Sequence, residues 1–510
     1  MKLTRREWLR LSAMMAVGGM TLSPSSVLAA QSADADSVQN SAGQDDYKAL
    51  VCLFLYGGND SWNLMFPVAN EGASGADAGR GFDTFAERRG ELACNHKDLV
   101  LSSADFTGGN SYPEGSAAYG SGFYALNDKW GMNACAPELA TLFKQQRLAM
   151  IANTGVLTQP LTRSSITESN RPYFLYAHNH QQRALATANA MQRVQLGWAG
   201  RLADGWQPDS STELPLAISW NKPSLMTAGD TGSGIILPAR GPLAFANTFG
   251  ADQKLNGMGE AMMALANAGP DDAFSRLVGG RYEGALDVSK LLRAYWNKDH
   301  LPWGKGTFGS YGEPLFSLPE MQSVGLEGSL DMGLLMQLEA TARLIDIGRK
   351  VGKKRQVFFV SMGGFDTHAG QKDRHPTLLR SLSVALWHFK KAMAGMGLED
   401  QVTLFSQSDF GRTLSMNNDG TDHGWSGNQL VMGGAVNAGV YGAMPDIRES
   451  SEQVMPDKRG RVIPDIAAEQ ITADLLRWMD VPEDIVSTAL PRLTKFETSS
   501  KDQLGLMKLA

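Results

Sequence analysis

The chain has 510 residues, a formal net charge of −6, 43% hydrophobic residues and only 20% charged ones. Its lysines and arginines are scattered and its balance is acidic, which excludes the basic stripe of a nucleic-acid binder. Three cysteines give no disulfide framework, and the length accommodates one large domain with insertions or two domains.

Residues 1–30 read as an export leader. Lys2, Arg5, Arg6 and Arg10 precede a modestly apolar run from Leu11 to Leu22, and small residues close it at Ala29 and Ala30. An apolar segment too short to span a bilayer, with a charged start and a small-residue exit, describes a cleaved leader rather than an anchor. The adjacent arginines before Trp8 and Leu9 resemble a twin-arginine signal, which makes the twin-arginine export machinery a partner and the periplasm or the exterior the destination. The leader holds four cations and one anion, net +3, so the rest of the chain carries −9. Residues 31–46, rich in Ser, Ala, Asp and Gln, read as a flexible mature terminus. No later window offers about eighteen uninterrupted apolar residues, so no stable membrane span is expected.

Ala49–Tyr56 is the first strand, and it runs into Gly57-Gly58-Asn59-Asp60. Cys52 lies inside it as a buried thiol, while Cys94 and Cys135 sit in polar, glycine-rich surroundings where an oxidising compartment permits a disulfide. Gly72 to Gly122 has no lasting periodicity and reads as an excursion over the sheet edge. Pro137 to Gln146 has helical spacing with proline in the first turn, and Leu148–Asn153 is a second strand. A strand, excursion, helix and strand in succession suit a parallel sheet. Next come Thr162-Arg163-Ser164-Ser165, then Tyr176-Ala177-His178-Asn179-His180-Gln181, and an amphipathic segment opening at Gly197. About 206–330 is less orderly, with a strand at Leu214–Ser219 and helices at Met258–Ala268 and Ala285–Trp296, and reads as a helical or irregular cap or lid insertion. Periodicity then returns. Met332 to Val351 is a helix, Val357–Ser361 a strand, Pro376 to Met396 a helix, Val402–Ser406 a strand and Ile466–Met479 a helix. Successive helix–strand units with short connections predict an α/β, doubly wound, mostly parallel sheet over 47–495, followed by a tail at 496–510.

The chemistry collects at strand exits. Val357–Ser361 passes through Gly363-Gly364 to Asp366 and His368, which an extended backbone directs to one side. Val402–Ser406 leads to Asp409 and Arg412, and a polar loop follows to Asp422 and His423. With Asp60, three strands each deliver a carboxylate where open α/β sheets bind ligands. Carboxylates favour Mg, Mn or Ca and imidazoles add Zn. Two ions about 3.5–4 Å apart would clamp the attacking and leaving oxygens of an in-line displacement. Arg412 could then fork onto a tetrahedral anion. Each residue has a plainer reading: Asp60 as an Asx turn or helix cap, Asp409 paired to Arg412, and Asp422-His423 as turn chemistry. The stretch Gly433 to Gly439 lacks G-x-G-x-x-G spacing, so no nucleotide cofactor is expected.

The strand-GGND opening, GGFDTH, SDFGRT followed by TDHGW, and GGAVNAGVYG together resemble the bacterial twin-arginine-exported family called domain of unknown function 1501, which is grouped by fold with the alkaline phosphatase and sulfatase superfamily. The resemblance implies an alkaline phosphatase type of fold and a metal-dependent hydrolase of phosphate or sulfate esters. By position it makes Asp60, Asp366, His368, Asp409 and His423 metal ligands, with Asp422 beside them. Where relatives read R-S-H-F this chain reads Arg163-Ser164-Ser165-Ile166, and Phe410 stands where the superfamily has a histidine or asparagine. The superfamily nucleophile belongs in this region, which makes Ser164 the candidate ahead of Thr162 and Ser165, with Arg163 or Arg412 holding the anion. No C-x-P-S-R stretch of a formylglycine sulfatase occurs, nor the G-D-S and late D-x-x-H of a GDSL esterase. The alternative to a hydrolase is a non-catalytic protein that uses the fold to bind an envelope polymer or assembly partner.

Overall fold

The computed structural model describes residues 46–69, 79–93, 122–208, 214–230, 234–239, 241, 249, 254–266, 273–296 and 330–508. The leader, nearly all of the expected flexible terminus, Cys94 and most of the Gly72–Gly122 excursion lie outside them. In chain order the strands are β1 (Lys48–Leu55), β2 (Met65–Pro67), β3 (Phe123–Ala125), β4 (Trp130–Asn133), β5 (Leu148–Gly155), β6 (Ala217–Trp220), β7 (Ile235–Leu237), β8 (Arg355–Met362), β9 (Val402–Ser408), β10 (Arg412–Met416), β11 (Thr421–His423), β12 (Gly427–Met432), β13 (Gly439–Tyr441) and β14 (Ile466–Ala467). The α-helices among the described residues are α1 (Phe82–Arg89), α2 (Pro137–Lys144), α3 (His178–Thr187), α4 (Trp198–Gly205), α5 (Gly257–Ala266), α6 (Ala273–Tyr295), α7 (Met332–Lys350), α8 (Gln371–Gly395), α9 (Ala468–Trp478) and α10 (Glu483–Ala489).

A nine-stranded sheet organises the molecule, in the order β13-β5-β12-β9-β1-β8-β6-β7 with β14 also on β5. All its pairings are parallel except those of β12, which runs antiparallel between β5 and β9. The chain thus has a mixed α/β fold with a large, mostly parallel sheet. Because β6 and β7 pair alongside β8, part of the 206–330 stretch extends the sheet edge.

β1 lies at the centre and explains the hydrophobic run of its sequence. Ala49, Val51 and Leu53 face one layer, built with α2, α7 and α8, while Leu50, Cys52 and Phe54 face the other, built with α4 and α9. A strand buried on both faces must be apolar at every position, which erases the period-two alternation of a half-exposed strand. β8 splits the same way, with Phe358, Val360 and Met362 on one face and Val357 and Phe359 on the other. Between α2 and α8 the buried Arg380 donates to Glu138 at 2.6 Å, and Ser383 donates to the same carboxylate oxygen at 2.7 Å.

α8 begins at Gln371, five residues ahead of the proline expected near its start. Pro376 removes one intrahelical donor but leaves the first turn intact. That turn is fixed by Gln371 itself, whose side chain donates to Asp60 and accepts from Thr421 at 2.6 Å. Among the described residues no helix is long and apolar enough to cross a membrane.

Two features of this core carry measurable consequences. Gly57 has φ +115°, and a Cβ there would lie 2.3 Å from the Asp366 backbone nitrogen, whereas Gly363 has nothing within 4 Å of its Cβ position. Gly57→Ala should therefore cost about 1–3 kcal/mol in denaturant unfolding, and Gly363→Ala should stay within about 0.5 kcal/mol. Glu469, on α9, is buried, and Oε2 has no hydrogen-bond partner among the described residues. Burial raises its carboxyl to about 7, opposed by Arg492. Between the ordinary value of 4.5 and about 7 the folded chain binds more protons than the unfolded one, so this residue's contribution falls as pH rises through that window. Glu469→Gln should abolish that fall and, at pH 8, raise stability by about 2–3 kcal/mol over the parent; urea midpoints at pH 5 and pH 8 read both effects.

Candidate metal centre

Parallel strands end at one edge of the sheet, and here β1, β5, β8 and β9 all deliver their exits to it. The exits are fastened to one another. Phe365 N donates to Tyr56 O at 3.2 Å, Asn59 N to Ser408 Oγ at 2.8 Å, and Gly57 N to Asp409 Oδ2 at 3.0 Å. The Gly57-Gly58 turn permits this approach, since a side chain at Gly58 would enter the Phe410 ring.

Asp366 stands at the focus. Its Oδ1 accepts from Arg412 Nη1 at 3.0 Å and lies 3.2 Å from Nε2 of both His368 and His423, while Oδ2 is 3.6 Å from His178 Nε2. His423 is the antiparallel partner of Arg412 in the β10–β11 hairpin, which explains why both reach the same oxygen. Burial pushes the Asp366 carboxyl up, but Arg412 and the surrounding imidazoles outweigh it and hold the group below the ordinary carboxylate range.

The three imidazoles share one arrangement. His178 Nδ1 donates to Asp409 Oδ2 at 2.5 Å, His423 Nδ1 to Tyr176 O at 2.9 Å, and His368 Nδ1 to Asp422 Oδ1 at 3.3 Å. A carbonyl and ionised carboxylates only accept, so each partner fixes the ring proton on Nδ1 and directs Nε2 inward. His368 Nε2 and His423 Nε2 face each other at 2.8 Å. Two bare lone pairs at that distance require a proton or a cation between them. Outer acceptors of this type are what orient metal-ligating histidines. The Asp409 hydrogen bond raises the His178 pKa despite some burial, whereas burial, with the charges of His178 and Arg412, lowers that of His423. His178, Asp366 and His423 have ligand atoms all within 4.8 Å of one another, and His368 adjoins them. Three imidazole nitrogens and one carboxylate oxygen suit zinc or another borderline divalent cation better than the oxygen-seeking Mg or Ca.

The structure brings together Asp366, His368 and His423, with Asp409 and Asp422 directly behind the histidines. Asp422 is braced by Asn417 at 2.8 Å and Arg459 at 2.7 Å. Asp60 lies deeper, fully buried, with its Oδ2 taken by Arg89 and Gln371. Arg412 is buried too, so its guanidinium serves Asp366 rather than the solvent. Arg163, Ser164 and Ser165 occupy a surface loop fastened to residues 449–452: Arg163 Nη1 donates to Glu449 O, Ser164 N donates to Glu452 Oε2 at 2.8 Å, and the Ser164 and Ser165 hydroxyls contact Thr162. Phe410 acts as a wall, its ring 4.8 Å from that of His178 and 4.5 Å from that of His423.

Two residues of the assembly, His178 and Arg89, have no role assigned from sequence. His178 opens α3, beyond β5; once β5 is placed in the same parallel sheet, its exit reaches the same edge, and that was the available clue. Arg89 closes α1 inside the excursion that showed no periodicity, and nothing local marks it.

No curated protein matches the chain. Residues 335–457, the stretch that holds Asp366, His368, Asp409, Arg412, Asp422 and His423, match the model of a family described as protein of unknown function (DUF1501), so this part of the chain is similar to that family.

Proposed function

We propose that this chain is a metal-dependent hydrolase acting on phosphate or sulfate esters, with one divalent cation held by His178, His368, His423 and Asp366. The observation that carries the reading is the convergence of three Nε2 atoms on one carboxylate while every Nδ1 is held by an outer acceptor. A bound divalent cation supplies Lewis acidity and lowers the pKa of a coordinated water to about 7. The chain's own residues do the positioning. Asp409 holds His178 in the Nδ1–H tautomer, Asp422 does the same for His368, and Arg412 keeps Asp366 ionised and fixed. The hydroxyls of residues 162–165 are bonded within their own loop and Ser164 N donates to Glu452, which favours a water over the Ser164 hydroxyl as the attacking group in this reading. The ester specificity comes from the family resemblance, as do export through the twin-arginine machinery and the alkaline phosphatase type of fold.

One observation favours the non-catalytic alternative, a protein that binds an envelope polymer. Arg412 is buried, and Arg459, which is exposed, is paired to Asp422. Arg412 Nε and Nη2 have no hydrogen-bond partner among the described residues, but both are buried away from the solvent from which an anionic substrate would approach.

Elemental analysis of the purified chain should find stoichiometric metal, and a chelator should lower its melting temperature, because a ligand at about 100 times its Kd adds about 2.7 kcal/mol. His368→Ala, at a half-exposed side chain, should lose the metal while remaining folded. Asp409→Asn should weaken metal affinity about 10–100-fold by releasing His178. A panel of phosphate and sulfate esters then separates the two readings: turnover that disappears in His368→Ala supports the hydrolase, and metal without turnover supports the binding protein. Metal-free protein indifferent to chelator sinks both forms of the centre.

A further inference from the structure

The oxygen ligands at the strand exits suit a two-ion centre on sequence grounds, and the structure disagrees on one side. We infer that Arg89 permanently takes the place of a second cation beside Asp60, so that the centre binds a single metal ion and Asp60 is not one of its ligands. This rests on the metal-centre reading above and sets its stoichiometry.

Asp60 and Arg89 both have side chains with no exposure to solvent, and Arg89 Nη2 donates to Asp60 Oδ2. Arg89 Nη1 donates to Thr413 O at 3.0 Å, which anchors the guanidinium to the strand that carries Arg412. Gln371 Nε2 donates to the same Asp60 oxygen, and Gln371 is itself held by Thr421. Asp60 Oδ2 is thus gripped from two elements, α1 and α8, while Oδ1 is buried with no hydrogen-bond partner among the described residues. A guanidinium does not deprotonate in proteins, so a divalent ion at Asp60 would meet a fixed positive charge in a buried, low-dielectric position.

Charge bookkeeping points the same way. Asp422 and Arg459 cancel at the rim. Inside, Asp60, Asp366 and Asp409 supply three negative charges and Arg89 and Arg412 two positive ones, a net −1 with neutral imidazoles. One divalent ion brings the interior to +1, and two would bring it to +3. Charge of that size around the buried Asp60 and Asp409 and the half-exposed Asp366 is unfavourable without compensating anions, and the described residues show no further anion in contact with these carboxylates. The imidazoles are also unevenly placed, for all three converge on Asp366 and none of their contacts is to Asp60.

The test compares metal content and thermal stability across the wild type, Arg89→Met, and the charge-neutral double variant Asp60→Asn/Arg89→Met, each titrated with Zn²⁺, Mn²⁺ and Mg²⁺. Wild type should hold one equivalent. The double variant should also hold one, with affinity within about threefold of wild type; a loss of more than about tenfold would make Asp60 a ligand and overturn the inference, as would two equivalents in wild type. Arg89→Met leaves the Asp60 charge buried without its partner, so it should melt lower and recover with millimolar divalent ion as a second equivalent binds. Failure to gain that equivalent overturns the role given to Arg89. Metal-free wild type together with cation-dependent recovery in Arg89→Met would remove the hydrolase reading while leaving Arg89 as the stand-in cation. Should Arg89→Met fail to fold, the double variant still decides whether Asp60 is a ligand.

Discussion

Everything at this edge of the sheet depends on how closely the exit of β1 approaches the exits of its two neighbours. Gly57 passes the Asp366 backbone at a distance no side chain tolerates, donates its N–H to Asp409, and is followed by a second glycine under the Phe410 ring. Ser408 extends the fastening, donating to Leu55 O while accepting from Asn59 N. Three strands that the sheet already holds in register are therefore also tied together just beyond their last ladder bonds. Asp366 and Asp409 inherit fixed positions from that knot, and the histidines are arranged around them. A double glycine after a central strand is thus a steric requirement here rather than a mark of a loose loop.

The second constraint is electrostatic. Buried carboxylates are costly unless each has a partner, and the chain solves this differently at each position. Asp60 receives a permanent guanidinium and an amide from residues far away in sequence. Asp409 receives a backbone N–H and the His178 imidazole. Asp366, half exposed, receives Arg412 from below and three imidazoles from above. Only in this last environment do the Nε2 atoms of three imidazoles approach the carboxylate. The proposed cation site is therefore defined by where the imidazoles converge, since an arginine contacts Asp366 as well as Asp60.

The sheet was largely legible because central parallel strands are long apolar runs and their helices are strongly periodic. β1, β5, β8 and β9 and helices α2 and α7 all fall where those patterns place them. The antiparallel β12 was not, since Gly427–Met432 is too short and too mixed to announce its direction. At the site, the three strand-exit carboxylates and the two histidines nearest them could be read, because glycine turns mark the exits. Their division of labour could not. Whether a carboxylate meets a metal or an arginine depends on Arg89 and His178, which reach the site through the tertiary fold alone. Arg412 misled for the same reason, since its sequence position near Asp409 gives no hint that its side chain is buried against Asp366.

His178 also changes what the departures at Ser165 and Phe410 mean. A histidine is missing from the loop after β5, but the structure turns that loop toward Glu449 and Glu452, and the imidazole on Asp409 comes instead from the start of α3. Phe410 does not leave a gap where a ligand should be; it packs against the rings of His178 and His423 and narrows their freedom. A bulky apolar wall beside two imidazoles lowers the local dielectric, which strengthens their interaction with a cation and with Asp366 alike. The cluster of His178, His368, His423 and Asp366 therefore assembles without either position, and beside it the buried Arg412 keeps Nε and Nη2 without a partner among the described residues. In the proposed reading the metal rests on that cluster, and turnover depends on how substrate charge is met above the histidines.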